Sequence, residues 1–464
     1  MSAKAERIRD LTQGSPMKLI VSFALPLMAG NVFQQLYTIV DTAVVGQGVG
    51  IQALSALGAA DWLNWFVISI IQGFAHGFSI LMAQYFGAKD YKRLNQSIGI
   101  SITLSIIICV SLLVVSHVIT VPLLTLMNTP ADIMPDSVLY LRFILSGIPI
   151  VMFYNLLSSI LRALGDSKTP LYAMIVAALT NVGLDLLFVM VFHWGIPGAA
   201  VATLIAQLLS VIYCAVKMRK IDLLHISRED LKPKKDMVRA LFRLGTPVAL
   251  QNAIIAIGGM VVQSVINVYG VLFIAGYTAT SKLYGLLEIA ATSFGYAVTT
   301  YVGQNLGAKL IRRIKKGLRA AAIVAFFTSV VIGAAMVLFG KLILGIFLSG
   351  TPAEIETAMD VAYRFLFIMS VCLPILYMLH IYRSALMGLG NTVVPMISGF
   401  AEMALRIAVV FVLPVFMGQN GVLYAEVAAW TAAAVILVAA YYLQIRRYPD
   451  VEEKVKKEEP AAGA

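Results

Sequence analysis

Charge is scarce in this chain. Only 13% of its 464 residues are Asp, Glu, Lys or Arg, about half the share of an ordinary soluble domain. So few charges cannot clothe a water-facing globule of this size. Cysteine is scarcer still. Cys109, Cys214 and Cys372 all fall inside apolar runs without metal-ligand spacing, so neither a disulfide framework nor a structural metal cluster is expected. The five histidines show no ligand spacing either; His76, His117, His193 and His380 read as structural or interfacial. No sizeable loop carries clustered aspartates or histidines, which argues against an integral membrane enzyme.

Apolar residues supply what charge does not. They make up 60% of the chain, with a mean hydropathy of +0.87. They fall in about twelve runs of roughly 20 residues or more, each able to cross a ~30 Å hydrocarbon core at ~1.5 Å per residue. The runs lie near 19–45, 56–81, 96–118, 138–161, 170–192, 197–217, 244–268, 271–297, 317–340, 361–382, 393–414 and 421–444. They are too long for barrel strands, so an all-α integral membrane protein with twelve transmembrane helices is expected. The first run is long and lacks a small-residue cleavage pattern, so no cleavable signal is expected.

The net charge of +11 does not mark a nucleic-acid binder. Thirty of the 35 Lys and Arg residues lie in alternate connections, counting from the N-terminus. They cluster before the first run, at 89–93, 162–168, 217–243 and 309–319, at Arg383 and in the tail. The intervening loops hold Lys341 and the acids Asp132, Asp136, Glu354 and Glu356. By the positive-inside rule both termini are expected in the cytoplasm, in a multi-pass protein of the plasma (inner) membrane.

The chain also contains itself twice. Gln84-Tyr85-Phe86-Gly87-Ala88-Lys89 returns as Gln304-Asn305-Leu306-Gly307-Ala308-Lys309, and Leu164-Gly165-Asp166 with Pro170 returns as Leu389-Gly390-Asn391 with Pro395. Pro26 and Asn31 match Pro247 and Asn252, Arg142-Phe143 matches Arg364-Phe365, and Gly195 with Gly198 matches Gly418 with Gly421. Six spans per copy make a parallel repeat, the plan of many secondary transporters with substrate held between the halves. The expected organisation is a cytoplasmic segment 1–18, an N-lobe 19–217, a cytoplasmic linker 218–243, a C-lobe 244–445 and a charged tail 446–464.

Ionisable residues at membrane depth are costly and usually face a cavity or a partner. Asp41 lies in the first span. Asn181 and Asp185 are i, i+4 on the fifth, and Thr203 is on the sixth. All sit roughly 8–12 Å from the outer boundary at ~1.5 Å per residue. If those helices pack together, two carboxylates, an amide and a hydroxyl converge. Such a pocket holds a proton or a small hard cation such as Na⁺ transiently, or each acid bonds locally and only fixes helix packing. In the second copy the same positions are Val262, Arg406, Val410 and Glu426. Glu402 lies one turn before Arg406. Either this pair with Glu426 locks the second lobe with a fixed guanidinium, or Glu402 is a second coupling acid. Arg142 and Arg364 near the outer helix ends read as snorkelling cations. Lys282 and Glu288 in the eighth span face different directions about the helix, either or neither lining a cavity. Pro26, fifteen residues from Asp41, provides either a movable hinge or a static kink.

Several of these residues carry a resemblance. Pro26 with Tyr37 and Asp41, the Gln84–Lys89 loop, Arg162-Ala163-Leu164-Gly165-Asp166, Asn181 with Asp185, and Thr203 together resemble the multidrug and toxic compound extrusion (MATE) family, DinF-like branch, across nearly the whole length. The resemblance implies two six-helix lobes in a V. It implies export of amphipathic, often cationic, organic compounds by alternating access against H⁺ or Na⁺. It also places Asp41, Asn181, Asp185 and Thr203 in the coupling site, with Tyr37 and Pro26 beside it. The sodium-coupled branch carries an acid in the seventh span, and residues 247–268 contain none, which favours proton coupling. No cofactor is expected. The expected partners are small organic substrates and the bilayer, for a monomeric chain. The alternative is a flippase for a lipid-linked metabolite, which wants basic residues in its cavity; Lys282 and Arg406 are the candidates.

Overall fold

The structure is a computed structural model that describes residues 8–126, 129–348 and 351–448. The tail expected over 446–464 lies outside the described residues from 449 onward, and the N-terminal segment does so up to residue 7. Thirteen α-helices follow in chain order: α1 Pro16–Gly48, α2 Ile51–Gly87, α3 Tyr91–Leu126, α4 Met134–Ser146, α5 Ile148–Ala163, α6 Lys168–Asp185, α7 Gly195–Met218, α8 Lys235–Ile266, α9 Val271–Gly307, α10 Ile311–Leu344, α11 Pro352–Gly388, α12 Val393–Met417 and α13 Ala425–Ile445. A π-helical segment, Leu186–Val191, continues α6, and a 3₁₀ segment, Gly418–Tyr424, joins α12 to α13.

Among the described residues nine helices are long and apolar enough to cross a membrane, or ten if the bent pair α4 and α5 forms one span. Two further spans follow from the element order. α9, which carries Lys282 and Glu288, is not among those ten, and α12 with α13 is counted there as one stretch. Twelve transmembrane helices result, six in each repeat. Each overlaps one of the apolar runs, and most extend beyond it. α2 reaches Gly87 and α11 begins at Pro352, because a helix continues through polar residues once its ends leave the hydrocarbon. Within the bilayer, buried hydroxyls turn back onto their own helix: Ser97 donates to the Leu94 carbonyl and Thr120 to that of Ser116.

The duplication is stereochemical as well as sequential. Lys89 and Lys309 both take left-handed φ angles, 57° and 59°, after matching turns. In these, Ala88 N–H donates to Gln84 O at 2.9 Å and Ala308 N–H to Gln304 O at 3.0 Å. Gly165 and Gly390 have φ of 84° and 80°, the region where only glycine is unstrained. The Asp166 and Asn391 side chains then cap the next helices through the N–H groups of Thr169 and Val394.

The described residues cluster into two compact units, one of residues 8–9, 25–82 and 90–256, the other of 10–24, 83–89 and 257–448. The division falls elsewhere than at the repeat boundary. In the first unit the opening turns of α8 lie on α2, where a Cβ on Gly77 would fall on the Gly245 backbone and Asn252 donates to the Ser69 carbonyl. In the second, Leu11 N–H donates to Gln304 Oε1 and Asn305 donates to the Leu11 carbonyl. The expected linker 218–243 is partly helical, since α8 begins at Lys235. The rest is held to α3 through Asn95, which bonds Leu223 O and His225 N, and Thr103, which donates to Leu231 O. In the first unit α7 packs on α4, α5 and α6; in the second α11 packs on α9, α10 and α13, and α12 on α13.

Candidate functional site

In the first unit, a missing side chain lets α1 approach the segment that continues α6. A Cβ on Gly48 would lie only 2.7 Å from Val189 and Met190 of the π-helical segment, while one on Gly30 would make ordinary contact with Leu171 at 3.6 Å. That close approach brings the Asp41 and Asp185 side chains within hydrogen-bonding reach of each other. Asp185 is fully buried and Asn181 is 1% exposed. The segment that follows Asp185 is a π-helix, a form found mostly at functional sites. It is braced by Phe188 stacked on Trp194 at 4.7 Å between centroids.

Three helices each contribute a pair one turn apart: Tyr37 and Asp41 from α1, Asn181 and Asp185 from α6, Thr203 and Gln207 from α7. Asn181 Nδ2 donates to Thr203 Oγ1 at 3.3 Å, and the Tyr37 hydroxyl lies beside Gln207, Gln34 and Thr38. Asp41 Oδ1, Asn181 Oδ1, both Asp185 carboxylate oxygens and Gln207 Oε1 are buried without a hydrogen-bond partner among the described residues. These acceptors stay unmatched although the Tyr37 and Thr203 hydroxyls stand on the same helices. Unsatisfied buried acceptors are expensive, and a proton or a hard cation is what such a set lacks. No group of three or more His, Cys, Asp or Glu with metal-binding geometry occurs among the described residues.

Three neighbours, Asp61, Tyr140 and Gln207, escaped the sequence reading. Asp61 of α2 lies near enough to Asp41 to act on it electrostatically, and Tyr140 of α4 borders the same carboxylates. Asp61 lies inside the apolar run 56–81, and Gln207 lies one turn beyond Thr203, so both had a signal. Pro26 is in α1, which runs as one helix from Pro16 to Gly48.

The charges of the second unit are arranged differently. Arg406 Nη2 donates to Glu426 Oε2 at 2.8 Å, from α12 to α13. Glu402 is bonded by Arg383 of α11 rather than by Arg406, which corrects the expected Glu402–Arg406 pairing along one helix. Arg383 is likewise not a loop cation, being 9% exposed inside α11. A residue near a helix end can point inward when an acid on the adjoining helix neutralises it. Glu288 meets His380 at 3.3 Å. Lys282 stands apart, exposed in a cleft of about 540 Å³ with Thr278 and Glu354. Arg142 is exposed, and Arg364 makes a surface pair with Asp360 at 3.1 Å.

Twelve transmembrane helices in two like repeats, one with a cluster of unsatisfied intramembrane acceptors, define a polytopic protein of transporter type. The chain belongs to the MatE family, whose family model matches twice, over residues 26–187 and 247–412, once in each repeat. It is similar to the probable multidrug resistance protein YoeA of Bacillus subtilis (strain 168), 29% identical over 90% of this chain and 92% of that protein. It is similar also to the probable multidrug resistance protein NorM of Thermotoga maritima, 27% identical over 85% of each. A MOP superfamily transporter from Pyrococcus furiosus shares the fold, with a TM-score of 0.89 at 22% identity over 96% of this chain and 99% of that one.

Proposed function

We propose that this chain is a secondary antiporter of the plasma membrane that exports amphipathic, often cationic, organic compounds by alternating access, driven by inward H⁺. Its relatives YoeA and NorM are named as probable multidrug resistance proteins, which supports the substrate class. The observation that carries the reading is the set of buried oxygens on Asp41, Asn181 and Asp185 with no hydrogen-bond partner among the described residues. Asp41 and Asp185 take up the coupling ion, Asn181 and Thr203 orient it, and Tyr37 lies on the same face of α1 as Asp41. One proton shared by the two carboxylates would satisfy both. Its loss leaves two like charges in a low dielectric, a large energy difference with which to bias a two-state bundle. Na⁺ would fill the same oxygen set, so the driving ion is the first thing to test.

Flipping of a lipid-linked metabolite finds less support. It calls for several cations free to hold pyrophosphate; of the two candidates Arg406 is engaged by Glu426, and Lys282 is a single cation in its cleft. The test is efflux of a fluorescent organic cation from proteoliposomes under separately imposed H⁺ and Na⁺ gradients, with wild type and Asp41→Asn. Export driven by the H⁺ gradient and lost in the variant is the expected result. Equal export by the variant removes Asp41 from the mechanism.

A further inference from the structure

The second unit carries a groove that the proposed coupling site does not include. α11 packs against both α10 and α13, and between these flanking helices a cleft of about 740 Å³ opens. Its α10 wall is Ile323, Phe326 and Phe327, all exposed. On a water-facing surface such a wall marks a contact site; on a transmembrane helix it faces lipid. The opposite side is aromatic. Tyr382 lies edge-on to Tyr441 at 5.5 Å, and its hydroxyl is 3.3 Å from that of Tyr442.

All of the groove's cations gather at one end. Lys315 and Arg319 stand in the first turns of α10, and Arg446 follows the last turn of α13. Among the described residues, none that lines the cleft is acidic. Arg319 and Arg446 are exposed and make no ion pair among the described residues. The buried arginines of the same unit, Arg383 and Arg406, are each neutralised. Tyrosines mark the headgroup level of a bilayer, and basic pockets between transmembrane helices at that level suit anionic headgroups. A second copy of the chain seated on the aromatic wall would leave these two guanidiniums unmatched, and a zwitterionic lipid would answer them with no net charge.

We propose that this groove is a binding site for one anionic phospholipid. Its phosphate rests against Arg319 and Arg446 with Lys315 alongside, and its acyl chains lie along Phe326 and Phe327. The site rests on the position of these helices in a bilayer and is independent of the coupling chemistry at Asp41.

The test is native mass spectrometry of the full chain in mild detergent, with equal amounts of phosphatidylglycerol and phosphatidylcholine added. One retained phosphatidylglycerol is expected. The double variant Arg319→Gln/Arg446→Gln should hold it about thirtyfold more weakly, the loss of two interfacial cations, and Arg319→Lys/Arg446→Lys should keep most of it. Arg228→Gln, a charge removed from the connection before α8, should change nothing. Ala322→Trp fills the cleft with the cations untouched and should release the lipid too. Each variant is compared as a monodisperse species. Equal retention of phosphatidylcholine, undiminished phosphatidylglycerol in the double Gln variant, or a lipid-free dimer in place of the adduct would each overturn the proposal.

Discussion

The two repeats place a bonded pair at the same positions and give it opposite electrical character. In the first, Asn181 donates to Thr203 at 3.3 Å; in the second, Arg406, which replaces Asn181, donates to Glu426, which replaces Thr203, at 2.8 Å. The neutral pair leaves acceptors beside it unsatisfied. The charged pair matches its own two charges, although Arg406 Nε finds no hydrogen-bond partner among the described residues; the positions matching Asp41 and Asp185 are Val262 and Val410, each 1% exposed. The same geometric element thus serves as part of a set of unmatched acceptors in one repeat and as an ion pair in the other. Duplication conserves the contact while its chemistry diverges, because a contact needs only a donor and an acceptor whereas ion exchange needs an unmet one.

The strongest way to break this comparison is to remove the first repeat's acids. Asp41→Asn and Asp185→Asn should each lower ion-driven export roughly a hundredfold, the scale of losing a positioned proton-transfer group. Efflux from proteoliposomes measures it, and a variant that retains coupled export returns the acids to a packing role. Next in size is the closed pair. Arg406→Gln strands Glu426 at membrane depth and should cost about 3–5 kcal/mol, read as a lower thermal midpoint in detergent. The double change Arg406→Asn/Glu426→Thr installs the first repeat's pair and should recover more than half of that loss. No recovery would show that the arginine holds the helices by bulk rather than charge.

A third test probes where the repeats behave alike. A Cβ on Gly87 would fall on the Gln304 carbonyl, and one on Gly307 on that of Gln84. Gly87→Ala and Gly307→Ala should therefore each destabilise by about 1–3 kcal/mol, and by similar amounts. Unequal midpoints would end the claim that this crossing is symmetric. The smallest expected effect is on coupling in the second repeat. Because Glu402 is held by Arg383, Glu402→Gln should leave the pH profile of export unshifted even as the protein becomes less stable. A displaced profile would make Glu402 a second coupling acid.

Much of this was legible in one dimension. The twelve apolar runs, the paired turns at Lys89 and Lys309, and the common depth of Asp41, Asn181, Asp185 and Thr203 all follow from local pattern and repeat arithmetic; that their helices meet does not. Helix limits were less so, since hydropathy reports where lipid ends and the backbone keeps hydrogen-bonding past that point, as α2 and α11 do. Asp61 was overlooked near the start of its run. The Arg383–Glu402 and His380–Glu288 contacts had no such signal, because helical spacing tells which residues share a face and leaves open which helix that face meets.

The sequence by itself determined that the chain lives in a bilayer, that it is built twice, and that the first copy carries Asp41 and Asp185 where the second carries valines. Hydropathy, turn stereochemistry and residue identity are local properties, and they need no partner to be read. Tertiary structure decided which charges neutralise each other and which oxygens stay unsatisfied. Those depend on the approach of α1 to α6 and its π-helical continuation, closest at Gly48, and of α11 to α12 over a buried ion pair. Electrostatic energy at membrane depth is set by the nearest opposite charge, and only the packing of separate helices supplies that neighbour.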